Sequence, residues 1–123
     1  MIGDKNIYGD FNVTIDDKNR MIIPAKTGIE YNEEVLIISI NNNKFIVSQK
    51  VFEEYISRID NDIRTCKDKL ELASLLDLKD YLCGIIIKQA TADKQHRILV
   101  TDVYEPKGQA KIKGMGRILK LVD

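Results

Sequence analysis

The chain has 123 residues, 44% of them hydrophobic, and its 19 basic and 19 acidic side chains cancel. This length and composition can bury one sizeable core, which favours a single domain over residues 1–123. Zero net charge excludes a global positive field, so any nucleic-acid binding must depend on local clusters of cations. Such a cluster exists in residues 88–123, which hold 8 Lys or Arg against 4 Asp or Glu, whereas residues 1–47 hold 5 against 7.

Membrane, secreted and metal-binding classes find no support in the sequence. The longest apolar run, around residues 85–87, is far shorter than the roughly 20 residues of a spanning helix. No basic stretch followed by an apolar core opens the chain, so no targeting segment is expected. Cys66 and Cys83 have neither the spacing of a metal site nor the density of a disulfide framework. We therefore expect a cytoplasmic protein with reduced thiols and without metal, cofactor or membrane contact.

The first predicted elements are strands. Residues 1–7 are polar and are expected to be loose. The next apolar residues alternate with polar ones, as in a half-buried strand. They are Tyr8, Phe11, Val13 and Ile15. A polar turn at residues 16–19 leads to a return strand over residues 21–23, and the proline that follows can open a short helix over residues 24–31.

A second hairpin and two helices follow. Residues 35–40 are predicted to form a buried strand that turns at residues 41–43 and pairs with residues 45–47. Ser48 is a candidate N-cap for an amphipathic helix, which residues 60–62 are expected to interrupt. The apolar positions of this helix are Val51, Phe52, Tyr55, Ile56, Ile59 and Ile63.

A second helix is predicted from about Lys67 to Leu82. Its wide apolar face requires a covering surface, either the first helix or another subunit. That face contains Leu70, Leu72, Ala73, Leu75, Leu76, Leu78 and Leu82.

The last predicted elements are strands again. A strand over residues 85–87 leads to a turn at residues 93–96 and a return strand over residues 98–100. Residues 102–109 lack helical periodicity and are expected to form a loop with at most one helical turn. A final hairpin is predicted about residues 114–116.

One turn occurs twice in the chain. Residues 14–23 align with residues 91–100 without a gap, and Thr, Asp and Arg coincide, with three apolar residues after each Arg. A repeated turn indicates two copies of one supersecondary unit. We therefore expect two half-units, residues 8–47 and 84–123, joined by a helical connection over residues 48–83.

Both repeated turns have residues suited to a tight reversal. Asp16 and Asp93 can accept hydrogen bonds from backbone N–H groups two or three residues further on. Asn19 and His96 occupy the position that is expected to need a left-handed backbone, which these residue types tolerate.

The arginine after each turn is the main candidate for a binding residue. Arg20 and Arg97 each begin an apolar strand, with an Asp four residues earlier that can orient the planar guanidinium. The simpler interpretation is an ion pair that stabilises the turn only slightly. Lys18, Lys26 and Lys94 are nearby and suit phosphates, although a single such lysine is more typical of a solvated surface.

These residues resemble the MraZ family of bacterial transcriptional regulators, which are built from two AbrB-type swapped-hairpin units. The resemblance rests on Gly9, on Asp16-x-x-x-Arg20 continued through residues 21–26, and on Asp93-x-x-x-Arg97 continued through residues 98–100. It spans nearly the whole chain and is stronger in the first copy. The resemblance implies an α+β, mostly β fold, with one pseudo-two-fold barrel-like core and a helical connection.

The resemblance also implies a function. It is sequence-specific binding of double-stranded DNA through Arg-bearing turns, repeated in a ring-shaped homo-oligomer at the nucleoid. Arg20 is then expected to contribute more than Arg97, because its turn matches the family more closely. The alternative is an antitoxin-like module that binds a basic protein through the acidic middle of the chain. No nucleophile, base and orienting set accompanies Asp16-Asp17 or His96, so neither an enzyme nor a small-molecule substrate is expected.

Overall fold

Eight strands and two helices make up the computed structural model, which describes residues 1–105 and 107–122. A single 3-10 turn, Ala25–Thr27, follows the second strand. The strands are β1 (Ile7–Ile15), β2 (Arg20–Ile22), β3 (Glu34–Ile40), β4 (Asn43–Ser48), β5 (Ile86–Thr91), β6 (Arg97–Leu99), β7 (Gly108–Gly116) and β8 (Leu119–Val122). The helices α1 (Gln49–Thr65) and α2 (Lys69–Gly84) connect β4 to β5.

The strands form one antiparallel sheet in which the two halves of the chain interleave. Its order is β5-β3-β4-β8-β7-β1-β2-β6. β1 pairs with β7 of the other half, and its counterpart β5 pairs with β3 of the first half. Contacts between β5 and β6 bring the two edges together, so the sheet nearly closes on itself. The predicted α+β fold with a barrel-like core is confirmed.

A pseudo-two-fold axis passes between β2 and β6. Arg20 lies opposite Leu99, Met21 opposite Ile98, and Ile22 opposite Arg97. In the repeat, residues 20–22 correspond to residues 97–99. Exchanging each residue for its counterpart therefore gives the same three pairs. Met21 and Ile98 are fully buried at the axis, so they join the two halves in one core.

The core is aliphatic and draws on both halves. Its fully buried members include Met21, Ile37, Ile46, Ile98 and Ile112. Along β7, Gly114 permits a close approach to β1, because a Cβ atom there would lie 2.5 Å from the carbonyl oxygen of Ile7. Dense aliphatic packing of this kind holds the turns at the end of β1 and β5 on a rigid base.

Two predictions for the first residues are wrong. Residues 1–6 are docked, since Ile2 is buried and its N–H donates to the Glu33 carboxylate at 3.1 Å. Tyr8 faces solvent instead of the core, because the period of two that places Phe11 inward places Ile7 inward and Tyr8 outward. The helix predicted over residues 24–31 is limited to the 3-10 turn, where Gly28 ends it with a φ of 88°.

The helices differ from prediction at their ends. Residues 60–62 do not interrupt α1, because their polar side chains all lie on its exposed side. Ser48 occupies the N-cap position, yet its side chain makes no capping hydrogen bond. Asp68 caps α2 by accepting from the N–H of Leu70 at 2.9 Å. α2 continues to Gly84, so β5 begins later than predicted.

The final hairpin lies further along the chain than residues 114–116. The N–H of Met115 donates to the carbonyl of Ile118 at 2.9 Å, which places the turn after β7. β7 also begins within the loop predicted over residues 102–109. Pro106, which belongs to that predicted loop, lies outside the described residues.

Candidate nucleic-acid interface

The first repeated turn is closed by one carboxylate. Asp16 Oδ1 accepts from the N–H groups of Lys18 and Arg20, both at 2.9 Å. The backbone N–H of Asp16 donates to the carbonyl of Arg20 at 3.0 Å, and that of Asn19 donates to Asp16 at 3.1 Å. Asn19 has a φ of 60°. The carboxylate accepts two backbone N–H groups that would otherwise need water as a partner. It therefore stabilises the backbone conformation of this tight turn.

The second turn repeats this set of bonds. Asp93 Oδ1 accepts from the N–H groups of Gln95 and Arg97, both at 2.9 Å. The Asp93 N–H donates to Arg97 at 3.0 Å, the His96 N–H donates to Asp93 at 3.0 Å, and His96 has a φ of 61°. The two turns therefore share one hydrogen-bonding frame, although their tip residues differ.

Each arginine is oriented by the aspartate of its own turn. Arg20 Nε donates to Asp16 Oδ2 at 2.7 Å, and Arg97 Nε donates to Asp93 Oδ2 at 2.7 Å. Within residues 1–105 and 107–122, the terminal guanidinium nitrogens of these two arginines donate to no protein acceptor. The aspartate thus holds one edge of the guanidinium and leaves the terminal nitrogens available for an external acceptor.

The pKa of each turn aspartate is lowered in the folded protein. The Arg20 backbone N–H, followed by its guanidinium, lowers the pKa of Asp16. For Asp93, desolvation alone would raise the pKa, but the Arg97 N–H and guanidinium outweigh it and the pKa lies below the usual value. At neutral pH both carboxylates are therefore charged and keep the guanidinium groups in place.

The two turns lie side by side. The N–H of Ile23 donates to the carbonyl of His96 at 2.9 Å, and the N–H of Val100 donates to that of Asn19 at 2.8 Å. Arg20 and Arg97 point outward from the β2–β6 ribbon. The next residue in each strand, Met21 or Ile98, is buried, and successive residues of a strand face opposite sides. The two arginines occupy diagonal positions, for which neighbouring side chains lie about 7–8 Å apart.

The three predicted lysines do not all join the arginines. Lys18 and Lys94 are exposed within the turns, and Lys94 Nζ lies 5.8 Å from the centre of the Tyr31 ring. Lys26 Nζ lies 4.3 Å from the centre of the Phe11 ring. Phe11 precedes the end of β1 by four residues, roughly 13 Å at about 3.3 Å per residue. The geometry therefore groups Lys18 and Lys94 with the arginines and leaves Lys26 on the flank.

The basic surplus of residues 88–123 is distributed over the molecule. Lys88 donates to a backbone carbonyl of the loop after β6 at 3.2 Å, and Lys113 lies opposite an aspartate of β1. Lys94 and Arg97 are the cations of this region at the second turn. The two turns therefore present only a small positive charge to solvent.

Sequence reasoning missed two residues of the ribbon. Ile22 and Leu99 are 43% and 44% exposed and share the outer face with Arg20 and Arg97. The sequence predicts one apolar strand over residues 21–23, and this continuous apolar run hides their alternation. The signal that identifies Ile22 is its position two residues after Arg20, since residues i and i+2 of a strand share a face.

Other kinds of site find little basis among the residues that the structure describes. No group of three His, Cys, Asp or Glu residues there has the arrangement of a metal site. Cys66 and Cys83 are free thiols. Neither helix in the described ranges combines the length and apolar character needed to cross a membrane.

Comparison with known proteins supports the resemblance seen in the turns. No protein-family model matches the chain. Over 120 residues the chain is 27% identical to "Transcriptional regulator MraZ" of Mycoplasma mobile, and the match covers 94% of this chain and 77% of that protein. The similarity spans both repeated Asp–Arg turns and nearly the whole chain, and it supports the resemblance to the MraZ family.

Proposed function

We propose that this protein is a sequence-specific DNA-binding transcriptional regulator that contacts double-stranded DNA with its two Arg-bearing turns. The observation that carries the proposal is the pair of equivalent turns on one ribbon, in each of which the terminal guanidinium nitrogens donate to no acceptor among the described residues. The name of the Mycoplasma mobile relative supports a regulatory role.

The ribbon has the form that such contacts require. A two-stranded β-ribbon fits the major groove of B-DNA, where an arginine can donate to O6 and N7 of one guanine. In the proposed complex Arg20 and Arg97 contact bases, while Asp16 and Asp93 keep them oriented. In the same complex we propose that Lys18 and Lys94 contact phosphates, which position a protein on DNA without specifying the sequence.

A single protomer should bind DNA weakly. Affinity depends on the number of phosphates neutralised, and the two turns offer few cations in a chain without net charge. We therefore propose that the protein acts as a homo-oligomer, a ring as in the family it resembles, which multiplies these contacts.

The second helix is the proposed contact between copies. No residue of α2 is buried, and Leu70 is 81% exposed. Leu76, Leu78 and Tyr81 are also exposed on this helix. Covering these side chains removes apolar surface from water at about 25 cal/mol per Å².

One alternative is an antitoxin-like module that binds another protein, since the exposed leucines of α2 suit a heterologous partner as well as a second copy. The two functions differ in what the turns do, because a protein-binding module does not require Arg20 or Arg97 to be available.

Light scattering and a DNA mobility-shift titration test the proposal together. We expect a mass that is a multiple of 14.1 kDa and binding to the DNA upstream of the protein's own coding sequence in preference to a shuffled fragment. The double variant Arg20→Ala/Arg97→Ala should keep the mass and lose the binding. Arg58→Ala is the matched control, since this arginine lies on α1, away from the ribbon.

Leu76→Glu tests the subunit contact. This leucine is 49% exposed, so a charge there should dissociate the oligomer without unfolding the protomer. A 14.1 kDa monomer whose double arginine variant binds DNA as well as the unchanged protein would favour the protein-binding alternative.

A further inference from the structure

Two exposed aliphatic side chains complete the outer face of the β2–β6 ribbon. Leu99 lies opposite Arg20, and Ile22 lies opposite Arg97. The four side chains form a rectangle. Each arginine has one aliphatic neighbour opposite it on the paired strand and a second one two residues away in its own strand. Directly opposite residues have Cβ atoms about 4.5–5.5 Å apart, so each aliphatic group reaches the same region as a guanidinium.

The position of these residues is unusual rather than their exposure. Ile87 is 42% exposed although it lies on β5, outside the β2–β6 ribbon with its two arginines. Exposure alone therefore indicates no function. Ile22 and Leu99, in contrast, are symmetry counterparts at the same place in both halves. The outer face of the ribbon therefore combines apolar and cationic groups. Each side of the pseudo-two-fold axis has one aliphatic side chain and one oriented guanidinium group.

We propose that Ile22 and Leu99 contact the 5-methyl groups of thymines in the major groove and thereby help to set the DNA sequence preference. The inference rests on the proposed function. The thymine methyl is the apolar group on the base-pair edges of the major groove, and aliphatic side chains are suited to it. Lining up an aliphatic group with a guanidinium therefore selects thymine next to guanine.

The spacing restricts the preferred sequence further. Opposite side chains about 5 Å apart correspond to one or two base-pair steps, at about 3.4 Å per step. A guanine and a thymine should therefore lie within two base pairs of each other. Because the pseudo-two-fold axis relates the pair Arg20–Leu99 to the pair Arg97–Ile22, the combination should recur in inverted orientation.

Replacing thymine with uracil tests this contact, because it removes the methyl group and leaves base pairing unchanged. Wild-type protein is titrated with upstream DNA containing either base, and so are Ile22→Ala, Leu99→Ala and the double variant. We expect uracil to lower wild-type affinity about fourfold for each methyl contacted, as loss of one buried methyl group predicts. The double variant should bind both DNAs equally, and the control Ile87→Ala should respond like wild type.

Each outcome is decisive. Equal uracil sensitivity in wild type and the double variant, or none in wild type, overturns the thymine contact while the DNA-binding proposal stands. Equal weakening of the double variant on both DNAs, with a changed mass in light scattering, assigns the two residues to a protein contact and also overturns the inference. A wild-type protein that binds neither DNA refutes the proposed function itself.

Discussion

The two repeated turns have the same frame and different tips. Their aspartate and arginine make the same hydrogen bonds to within about 0.1 Å. The tip reads Asp17-Lys18-Asn19 in the first turn and Lys94-Gln95-His96 in the second. The frame is thus kept by the shared aspartate and arginine together with a left-handed residue before the arginine, while the charge of the tip differs.

Removing an arginine should have the largest effect on binding. Arg20→Ala and Arg97→Ala should each lower DNA affinity by about 1–3 kcal/mol, the usual value of a bidentate base contact. The sequence pattern favours Arg20, but equal frames favour losses of similar size, and a titration of each variant decides. Thermal unfolding should change little, because both side chains project from turns. Full affinity in both variants would contradict the proposed role of the turns.

The lysines provide the next test of the comparison. Lys18→Ala and Lys94→Ala should weaken binding to all sequences alike and reduce the slope of log affinity against log salt by about one unit each. Lys26→Ala should leave the slope unchanged, because its ammonium lies over Phe11. The measurement is affinity at several salt concentrations. A slope that responds to Lys26 and not to Lys18 would reverse the grouping of these cations.

The tips should also differ in backbone strain. Asn tolerates the left-handed region better than His, and this conformation costs an ordinary residue about 1–2 kcal/mol. Glycine removes that cost but loses about 0.5–1 kcal/mol of entropy on folding. We expect His96→Gly to raise the free energy of unfolding and Asn19→Gly to leave it nearly unchanged, measured with urea. Gln95→Gly is the control and should destabilise, whereas equal gains at both tips would show that the residue types are equivalent.

Acid should affect the two turns equally, and this effect is the smallest. Because folding lowers the pKa of Asp16 and Asp93, their contribution is complete above the ordinary aspartate pKa of about 3.9 and is lost as pH falls below it. Asp16→Asn and Asp93→Asn should each make stability depend less on pH below the ordinary aspartate pKa of about 3.9. Urea unfolding across this range measures the change. A strong response from one variant alone would show that the frames differ energetically.

The repeat made much of this arrangement predictable. A duplicated Asp-x-x-x-Arg turn, together with the family resemblance, indicated two units around a pseudo-two-fold axis. The turns themselves depend on bonds between residues at most four apart, so local sequence contains the needed information.

Other features depend on distant partners and were not predictable. The docking of residues 1–6 requires Glu33, which local periodicity does not relate to Ile2. The apolar run over residues 21–23 hides the alternation of the short strand β2, so the outward position of Ile22 follows only once Arg20 is known to face outward. Exposure along α2 likewise depends on what packs against it, which a helical period does not specify.

Interleaving also determines when the molecule can fold during synthesis. β1 pairs along its whole length with β7, from Ile7 opposite Gly116 to Ile15 opposite Gly108. A ribosome that adds about 5–20 residues per second needs roughly 5–20 s to make the intervening chain of about 100 residues. During that interval α1 and α2 can form from local contacts. β1 and its turn still lack β7, the strand with which β1 pairs in the folded protein. The first Arg-bearing turn therefore gains its rigid base only when the last strands leave the ribosome, and the nascent half-chain exposes an unpaired edge on which chaperones can act.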